Sequence, residues 1–308
     1  MKTDLLILWS WEHDADFLSI LRESCIGRGL TVRSVGPKGL PTLPGDLYAG
    51  TIDAHVVIDR AWDWGGEYAR HCDAVRQRGL LLLNDYDLVR RAWNKPTMHY
   101  ELIAHGLSAP YMIVLPACES RAELTPVDLL PVGECFSVKG AHSGGSGVLQ
   151  PAHTWDEVNE RRREWPSDET IVQTWVKPQM LGRRRAWFRI FYACGSTFLC
   201  WADDLTHDQN PVTPKEESLY RLHGLRGIAQ QIAGLCRLNV FSTEIALDQH
   251  NVWQVVDYVN EPCDYRLKSK AANGVPDAIV AAIADRIAAW VQRRVPRKGH
   301  FDMTHTVG

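Results

Sequence analysis

The sequence has 308 residues, a formal net charge of -3, 45% hydrophobic residues and 23% charged residues. This composition is typical of a globular protein with two or three packed domains, and it gives no electrostatic reason to expect nucleic acid or an anionic membrane as a partner. The apolar runs are too short for a signal peptide or a membrane span, so we expect a cytoplasmic protein. The eight cysteines form no C-x-x-C pair, which favours reduced, buried thiols over a disulfide framework or a zinc site.

Residues 1–84 predict a small α/β domain. Short apolar runs separated by polar or helical segments indicate its strands: Leu5–Leu8, Leu30–Val35, His55–Ile58 and Leu80–Leu83. Apolar residues recur at helical spacing after the first run, and residues 66–79 form a second, polar helical pattern. Strands that alternate with helices predict a parallel sheet covered on both faces.

Residues 85–176 predict a second domain. Pro96 is placed to open a helix directly after Lys95, and Gly106 is placed to close it. Strands are predicted where apolar residues follow turn signals: Tyr111–Leu115, Cys135–Lys139 and Ile171–Val176. The second of these strands leads into a glycine-rich loop.

Residues 177–308 predict an antiparallel domain. Two hairpins are expected, one around Gly195-Ser196 and one around residues 248–251. Residues 203–217 are interpreted as a polar loop. Apolar residues spaced by three and four predict a helix over 222–235, and residues 276–295 predict a long closing helix.

The glycine-rich loop contains Gly144, Gly145, Ser146 and Gly147, and it follows Lys139. Glycines expose backbone N–H groups without side-chain obstruction, and a nearby lysine adds a fixed positive charge, so the segment suits the binding of a polyphosphate. A tight hairpin turn between two buried strands is an equally open interpretation of the loop.

The second hairpin of the third domain carries Glu244 on one strand and Asp257 on the other, followed by Asn260 and Glu261. Strands that are buried normally exclude carboxylates unless these are paired or bound to a metal. Oxygen ligands of this kind suit magnesium. Solvated cross-strand ion pairs are the alternative.

Taken in order, these features resemble the ATP-grasp superfamily, and within it the carboxylate–amine ligases. The motifs that carry the resemblance are Lys95, Lys139, the glycine-rich loop, the strand Gln173-Thr-Trp-Val176, Trp187-Phe-Arg189 and the acidic hairpin. They cover residues 85 to about 266, and the preceding domain looks like the small α/β domain found before the grasp in this family. The expected fold class is therefore α/β, with α+β character in the C-terminal domain: an ATP-grasp fold behind a small parallel-sheet pre-grasp domain.

The resemblance implies an ATP site built from three segments: Lys95, Lys139, Gly144, Gly145, Ser146, Gly147, Gln173, Trp175 and Val176. The two lysines would hold the phosphates, the glycine-rich loop would close over them, and the third segment would line the adenine slot. It also implies that Glu244, Asp257 and Asn260 coordinate two Mg²⁺ ions, with the catalytic Arg189 near the transferred phosphoryl group.

Two departures from the family pattern concern the metal ligands and the ribose. Asn260 comes three residues after the second acid where the family often has two, which leaves Glu261 as an alternative ligand. Residues 177–185 contain no carboxylate for the ribose hydroxyls, and offer Arg183 to Arg185 instead, either to substrate carboxylates or as a solvated basic loop. Beyond the hairpin, Asp264, Arg266 and Ser269 could face the acceptor substrate, or cap the loop before the final helix.

The expected function is that of an ATP-dependent, ADP-forming ligase that activates a carboxylate as an acyl phosphate and joins it to an amine. Its partners would be small-molecule carboxylate and amine substrates, with amino acids or peptides as the expected class. A kinase or phosphotransferase on the same scaffold and a non-catalytic nucleotide-binding protein are the alternatives. The oligomeric state is open, with a homodimer as one option.

Overall fold

A computed structural model describes residues 2–62, 68–142 and 151–296 of the chain. The chain divides into two compact units. The first unit comprises Met1–Trp11, Ser19–Leu82 and Ala284–Gly308, and the second comprises Glu12–Leu18 and Leu83–Ile283. The division of the sequence at residues 84 and 176 into three domains remains a prediction.

The first unit is built around a parallel sheet. The elements from the N-terminus are, in order, β1 (Thr3–Trp9), α1 (Ala15–Ile26), β2 (Val32–Val35), α2 (Leu43–Ala49), β3 (Ala54–Arg60), α3 (Tyr68–Gln77) and β4 (Leu81–Leu82). The start of α1, up to Leu18, belongs to the second unit. The strands pair in the order β2-β1-β3-β4, and each described pairing is parallel. The run Leu5–Leu8 at the centre of β1 is fully buried, as a strand covered on both faces should be. The predicted parallel sheet is confirmed.

The second unit begins with two helices and a small antiparallel sheet. The elements are α4 (Tyr86–Trp93), α5 (Lys95–Ala104), β5 (Met112–Leu115), β6 (Phe136–Gly140), α6 (Trp155–Arg162) and β7 (Thr170–Thr174). β7 lies between β5 and β6. Apolar side chains of this sheet, of α6 and of the segments that connect them form a buried cluster: Leu115, Val132, Phe136, Val138, Ala152, Val158 and Val172. This cluster fixes β6, the strand that carries Lys139.

The remainder of the second unit is a larger antiparallel sheet. The elements are β8 (Met180–Leu181), β9 (Arg184–Arg185), β10 (Trp187–Ala193), β11 (Ser196–Ala202), β12 (Gln209–Pro211), α7 (Pro214–Leu219), α8 (Gly224–Cys236), β13 (Val240–Leu247), β14 (Trp253–Asn260) and α9 (Asp277–Gln292). Five of these strands pair in the order β12-β11-β10-β13-β14, and β8 pairs with β9 alone. Both predicted hairpins are present, and the unit boundary passes through α9.

The predicted polar loop over residues 203–217 is wrong, because the segment contains β12 and most of α7. The side chain of Thr213 accepts a hydrogen bond from the backbone N–H of Glu216, whose carboxylate in turn accepts one from the backbone N–H of Thr213. This capping box, followed by Pro214, is a helix-start signal that can be read in the sequence. In the described part of the chain, no helix is long and apolar enough to cross a membrane.

Candidate active site

Three adjacent strands place three predicted site residues in one row. Arg189 on β10 lies directly opposite Glu244 on β13, and Glu244 lies directly opposite Asp257 on β14. Side chains of directly opposed residues project from the same face of a sheet, so the three groups share one face. An Arg189 Nη1 to Glu244 Oε1 distance of 2.5 Å marks an ion pair, and Trp187 Nε1 donates to Glu244 Oε2 at 3.0 Å.

An irregularity in β14 brings Asn260 onto this face. Ser242 lies opposite Asn260 and Glu244 opposite Asp257, so a step of two residues on β13 corresponds to a step of three on β14. Residues three apart in a regular strand face opposite sides, but the extra residue of a β-bulge restores the common face. Asn260 Nδ2 donates to Asp257 Oδ2 at 2.9 Å. The unusual spacing in the sequence is thus absorbed by the backbone.

The two predicted phosphate lysines project from different elements. Lys95 is the first residue of α5, whose N-cap Asn94 accepts a hydrogen bond from the backbone N–H of Thr97. Lys139 lies on β6 and is only 6% exposed. Among the residues that the structure describes, none forms a hydrogen bond or ion pair with the Lys139 amine. A buried ammonium group without such partners is costly, and its charge therefore needs an explanation.

The charges of three basic residues, Lys95, Lys139 and Arg189, act on the carboxylate of Asp257. Burial acts to raise the pKa of Asp257, but the charges of Lys95, Lys139 and Arg189 outweigh burial and lower it. Burial, together with the neighbouring charge of Lys95, lowers the pKa of Lys139 to about 8 against the attraction of Asp257 and Glu244. Burial likewise lowers the pKa of Lys95. Burial opposes the charge of Arg189, yet Glu244 and Asp257 hold the pKa of Arg189 above its ordinary value.

A chain of polar contacts supports the start of α5, where Lys95 lies. Asp168 Oδ1 lies 2.8 Å from His142 Nδ1, and His142 Nε2 lies 3.0 Å from Nδ2 of Asn94. Burial lowers the pKa of Lys95, and the charges of Asp257 and Asp168 oppose this shift. The sequence analysis assigned no role to His142, which lies between Lys139 and Gly144, or to Asp168.

Of the residues predicted to line the adenine slot, Gln173 is 1% exposed, and its Nε2 donates to the hydroxyl of Tyr258 at 2.7 Å. Trp175 is half-buried and Val176 is buried, both directly after β7. Their contact with a nucleotide remains a prediction. The loop residues Gly144, Gly145, Ser146 and Gly147 lie outside the described residues.

The sequence analysis assigned no site role to two further residues on the sheet face that carries Glu244 and Asp257. Trp187 contacts Glu244, and the hydroxyl of Ser242 accepts hydrogen bonds from Arg189 Nη2 at 2.9 Å and Nε at 3.2 Å. Trp187 is two residues from Arg189 and Ser242 is two from Glu244, so strand periodicity would have assigned both to the same face. This signal was available once the hairpin had been assigned.

The predicted metal ligands form a small donor set of oxygen atoms. Within the described ranges there is no group of three or more His, Cys, Asp or Glu side chains that could hold a metal ion. The set therefore rests on two carboxylates, Glu244 and Asp257, and on the amide of Asn260. Because Asn260 uses its nitrogen toward Asp257, its carbonyl oxygen is left as an acceptor.

The segment after the acidic hairpin lines a cavity of about 240 Å³ in the second unit. Its lining carries both signs of charge: Glu12, His13, Ala15, Asp16, Arg266, Leu267, Lys270 and Ala271. Arg266 contacts Asp264 at 2.7 Å and Lys270 contacts Asp16 at 2.5 Å. Arg266, one of the residues predicted either to face a substrate or to cap a loop, thus lines a cavity. Asp264, another of them, forms an ion pair with the guanidinium of Arg266.

Comparison with known proteins gives matches only in three dimensions. No protein-family model matches the sequence, and no curated protein matches it. The structure is similar to D-alanine–D-alanine ligase from Bacillus anthracis, with a TM-score of 0.66 and 12% identity, over 94% of this chain and 95% of that one. It is also similar to the ATP-grasp ligase PsnB complexed with minimal precursor, Mg and ADP (TM-score 0.60, 13% identity, 95% and 100% of the chains) and to the D-cycloserine synthetase DcsG (0.60, 15%, 94% and 99%).

These similarities extend over nearly the whole chain and over nearly the whole of each similar protein. The chain therefore has the ATP-grasp fold, as its motifs indicate. At identities this low the likeness establishes the fold, and the activity has to be argued from the site itself.

Proposed function

We propose that this protein is an ATP-dependent, ADP-forming ligase that activates a carboxylate and couples it to an amine. The observation that carries the proposal is the buried amine of Lys139, beside Lys95 and Asp257 and without a hydrogen-bonding partner among the described residues. A polyphosphate would supply hydrogen-bond acceptors and further negative charge at this position, in addition to the charges of Asp257 and Glu244. Structures with the same fold have been solved with ATP and with Mg and ADP.

The donor set fits magnesium, which prefers carboxylate and amide oxygens and usually retains several waters. Glu244, Asp257 and Asn260 would hold the metal. We favour Asn260 over Glu261 because the side-chain amide of Asn260 is hydrogen-bonded to the carboxylate of Asp257. When bound, magnesium neutralises phosphate charge during transfer. No Asp, Glu or His is needed as a general base for the first step.

In the proposed reaction, the substrate carboxylate oxygen attacks the terminal phosphorus of ATP, the bond to ADP breaks, and an acyl phosphate forms. The amine nitrogen then attacks the acyl carbon, inorganic phosphate leaves, and the amine loses a proton. Arg189, which contacts Glu244 and Ser242, would stabilise developing negative charge. The two lysines hold the phosphates of ATP, so this chain supplies positioning and charge.

The substrates would be small molecules carrying both a carboxylate and an amine, such as amino acids or short peptides. The cavity of about 240 Å³ carries Arg266, Lys270 and His13 beside Glu12 and Asp16, and these charges are complementary to such groups. The similar structures include a D-alanine–D-alanine ligase and PsnB complexed with a precursor peptide, which supports amino acids or peptides as the substrate class.

The test is an incubation of the protein with ATP, MgCl₂, hydroxylamine and each of a panel of amino acids and dipeptides. Hydroxylamine converts an acyl phosphate into a stable hydroxamate, so we expect ADP, inorganic phosphate and a hydroxamate with the correct carboxylate. Asp257→Asn should abolish the three products together. Asp156→Asn, on the exposed start of α6, is the matched control and should retain them.

The outcomes separate the functions that the site could support. ADP together with a stably phosphorylated product would identify a kinase or phosphotransferase. ATP binding that is unchanged in Asp257→Asn, with no ADP from any mixture, would identify a non-catalytic nucleotide-binding protein. Either result would overturn the proposed ligase.

A further inference from the structure

The hydroxyl group of Tyr258 joins three elements of the second unit. It accepts a hydrogen bond from Gln173 Nε2 at 2.7 Å, and it lies 2.7 Å from Nδ1 of His99. Gln173 is on β7, His99 is on α5, and Tyr258 itself is on β14. All three side chains are buried.

Each of these elements carries or adjoins one charged residue of the proposed ATP site. On α5, His99 follows Lys95 by four residues, so both lie on one face of the helix. On β14, Tyr258 follows Asp257 directly. Lys95 is thus one helical turn from His99, and Asp257 is the residue before Tyr258.

The third element connects to Lys139 through strand pairing. β7 is paired with β6, with Ile171 opposite Lys139 and Gln173 opposite Ser137. Residues two apart on a strand share a face, as do directly opposed residues, so Gln173 and Lys139 project from the same face of this sheet. The charge of Lys139 also reaches His99, because burial and that charge together lower the pKa of His99 to about 4.

The donors and acceptors of this network are fully consistent. His99 is neutral at neutral pH, because burial and the charge of Lys139 lower its pKa to about 4, and a tyrosine hydroxyl can both donate and accept a hydrogen bond. Since Gln173 donates to the hydroxyl oxygen, the hydroxyl hydrogen can point to Nδ1 of His99. This arrangement assigns the His99 proton to Nε2.

We propose that Tyr258 is a positioning residue whose hydroxyl fixes α5, the β6–β7 pair and β14 relative to one another, and thereby sets the spacing of Lys95, Lys139 and Asp257. This inference rests on the proposed function, because the spacing matters only if these three groups bind Mg-ATP together. Loss of a single buried hydrogen bond at such a junction should weaken Mg-ATP binding about five- to tenfold.

The test measures the Kd of Mg-ATP by calorimetry for Tyr258→Phe, which keeps the ring and removes the hydroxyl. We expect a Kd about five- to tenfold higher than that of the wild type. The control is Tyr192→Phe, which removes a hydroxyl from β10, where the ring of Tyr192 is stacked on that of Phe241 on β13, and it should bind as the wild type does.

A second pair of variants carries the test if Tyr258→Phe does not fold. His99→Asn places an acceptor oxygen near the position of Nδ1, whereas His99→Leu removes the acceptor. We expect His99→Asn to bind Mg-ATP within about twofold of the wild type, and His99→Leu to bind it as weakly as Tyr258→Phe. ¹⁵N NMR of the wild type should show the proton of His99 on Nε2, and this signature should change in Tyr258→Phe.

The contrary results are distinct. Wild-type binding by both Tyr258→Phe and His99→Leu, or equal losses in His99→Asn and His99→Leu, would overturn the positioning role and leave the proposed function standing. Absence of Mg-ATP binding by the wild type would overturn the proposed function and this inference with it.

Discussion

Replacement of Lys139 by methionine should stabilise the protein while it removes ATP binding. The ordinary lysine pKa of 10.5 falls to about 8 at this buried position. At about 1.36 kcal/mol per unit, the charged amine opposes folding by about 3 kcal/mol at pH 7, where it is protonated in both the folded and unfolded states. Methionine has a similar length and no charge. Asp257 retains the charges of Lys95 and Arg189, so no unpaired carboxylate is created.

The stability difference between Lys139→Met and the wild type should also depend on pH, in a direction that follows from the lowered pKa of Lys139. Because the folded-state pKa is lowered, the folded protein binds fewer protons than the unfolded chain between pH 8 and 10.5. Its stability relative to Lys139→Met should therefore rise as the pH rises through this window. The advantage of the variant should be largest at pH 7 and should shrink above pH 8.

Urea denaturation at pH 7 and pH 9.5 measures the stability, and calorimetry measures the Kd of Mg-ATP. We expect a gain of up to about 3 kcal/mol at pH 7, and a Kd raised by about 10- to 100-fold, as the loss of a charge-assisted contact implies. Lys215→Met, on the exposed surface of α7, is the control for the loss of one lysine charge. A Lys139→Met variant that is less stable than the wild type at pH 7, or that binds Mg-ATP equally well, would refute the reasoning.

Three further predictions concern other residues of the second unit. The neighbouring cations lower the pKa of Asp257, so its carboxylate contributes stability that is lost as the pH falls below about 4. The free energy of unfolding of Asp257→Asn should therefore depend less on pH in this acid range. A pH dependence identical to that of the wild type would contradict this prediction. Arg189→Lys should lower the rate of ADP formation at least about tenfold and leave the Kd of Mg-ATP within about threefold of the wild-type value. The reason is that lysine lacks the planar guanidinium group that contacts both Glu244 and Ser242. Equal losses in rate and affinity would argue against a role of Arg189 in phosphoryl transfer. Arg162→Met should lower the free energy of unfolding by about 3 kcal/mol, because the guanidinium of Arg162 donates hydrogen bonds to several carbonyl oxygens, including those of Pro116 and Ala122. A loss of less than about 1 kcal/mol in urea denaturation would contradict this prediction.

The strands of the site could be predicted because their residues obey local rules. Apolar runs and turn signals placed the hairpin that carries Glu244 and Asp257 within two residues of its observed ends. The cross-strand register could not be predicted, because it depends on pairing between segments and on bulges that no residue announces. The hydrogen bonds of the Tyr258 hydroxyl could not be predicted either, because they join residues that are as far apart in the sequence as His99 and Tyr258. Such contacts follow from tertiary packing rather than from local pattern.

The spacing of Asp257 and Asn260 shows why a motif is better defined by the face it presents than by residue counts. A step of three residues would turn Asn260 away from the acid in a regular strand, and counted in the sequence it weakens the case for a metal site. In the structure the extra residue is taken up by a bulge, and the amide of Asn260 contacts the carboxylate of Asp257. Chemistry requires only that the donor atoms meet on one face, and a bulge lets the chain vary in length without changing that face. The irregular spacing is therefore compatible with a magnesium site, and the decision between a ligase and a non-catalytic nucleotide-binding protein passes to the Asp257→Asn experiment.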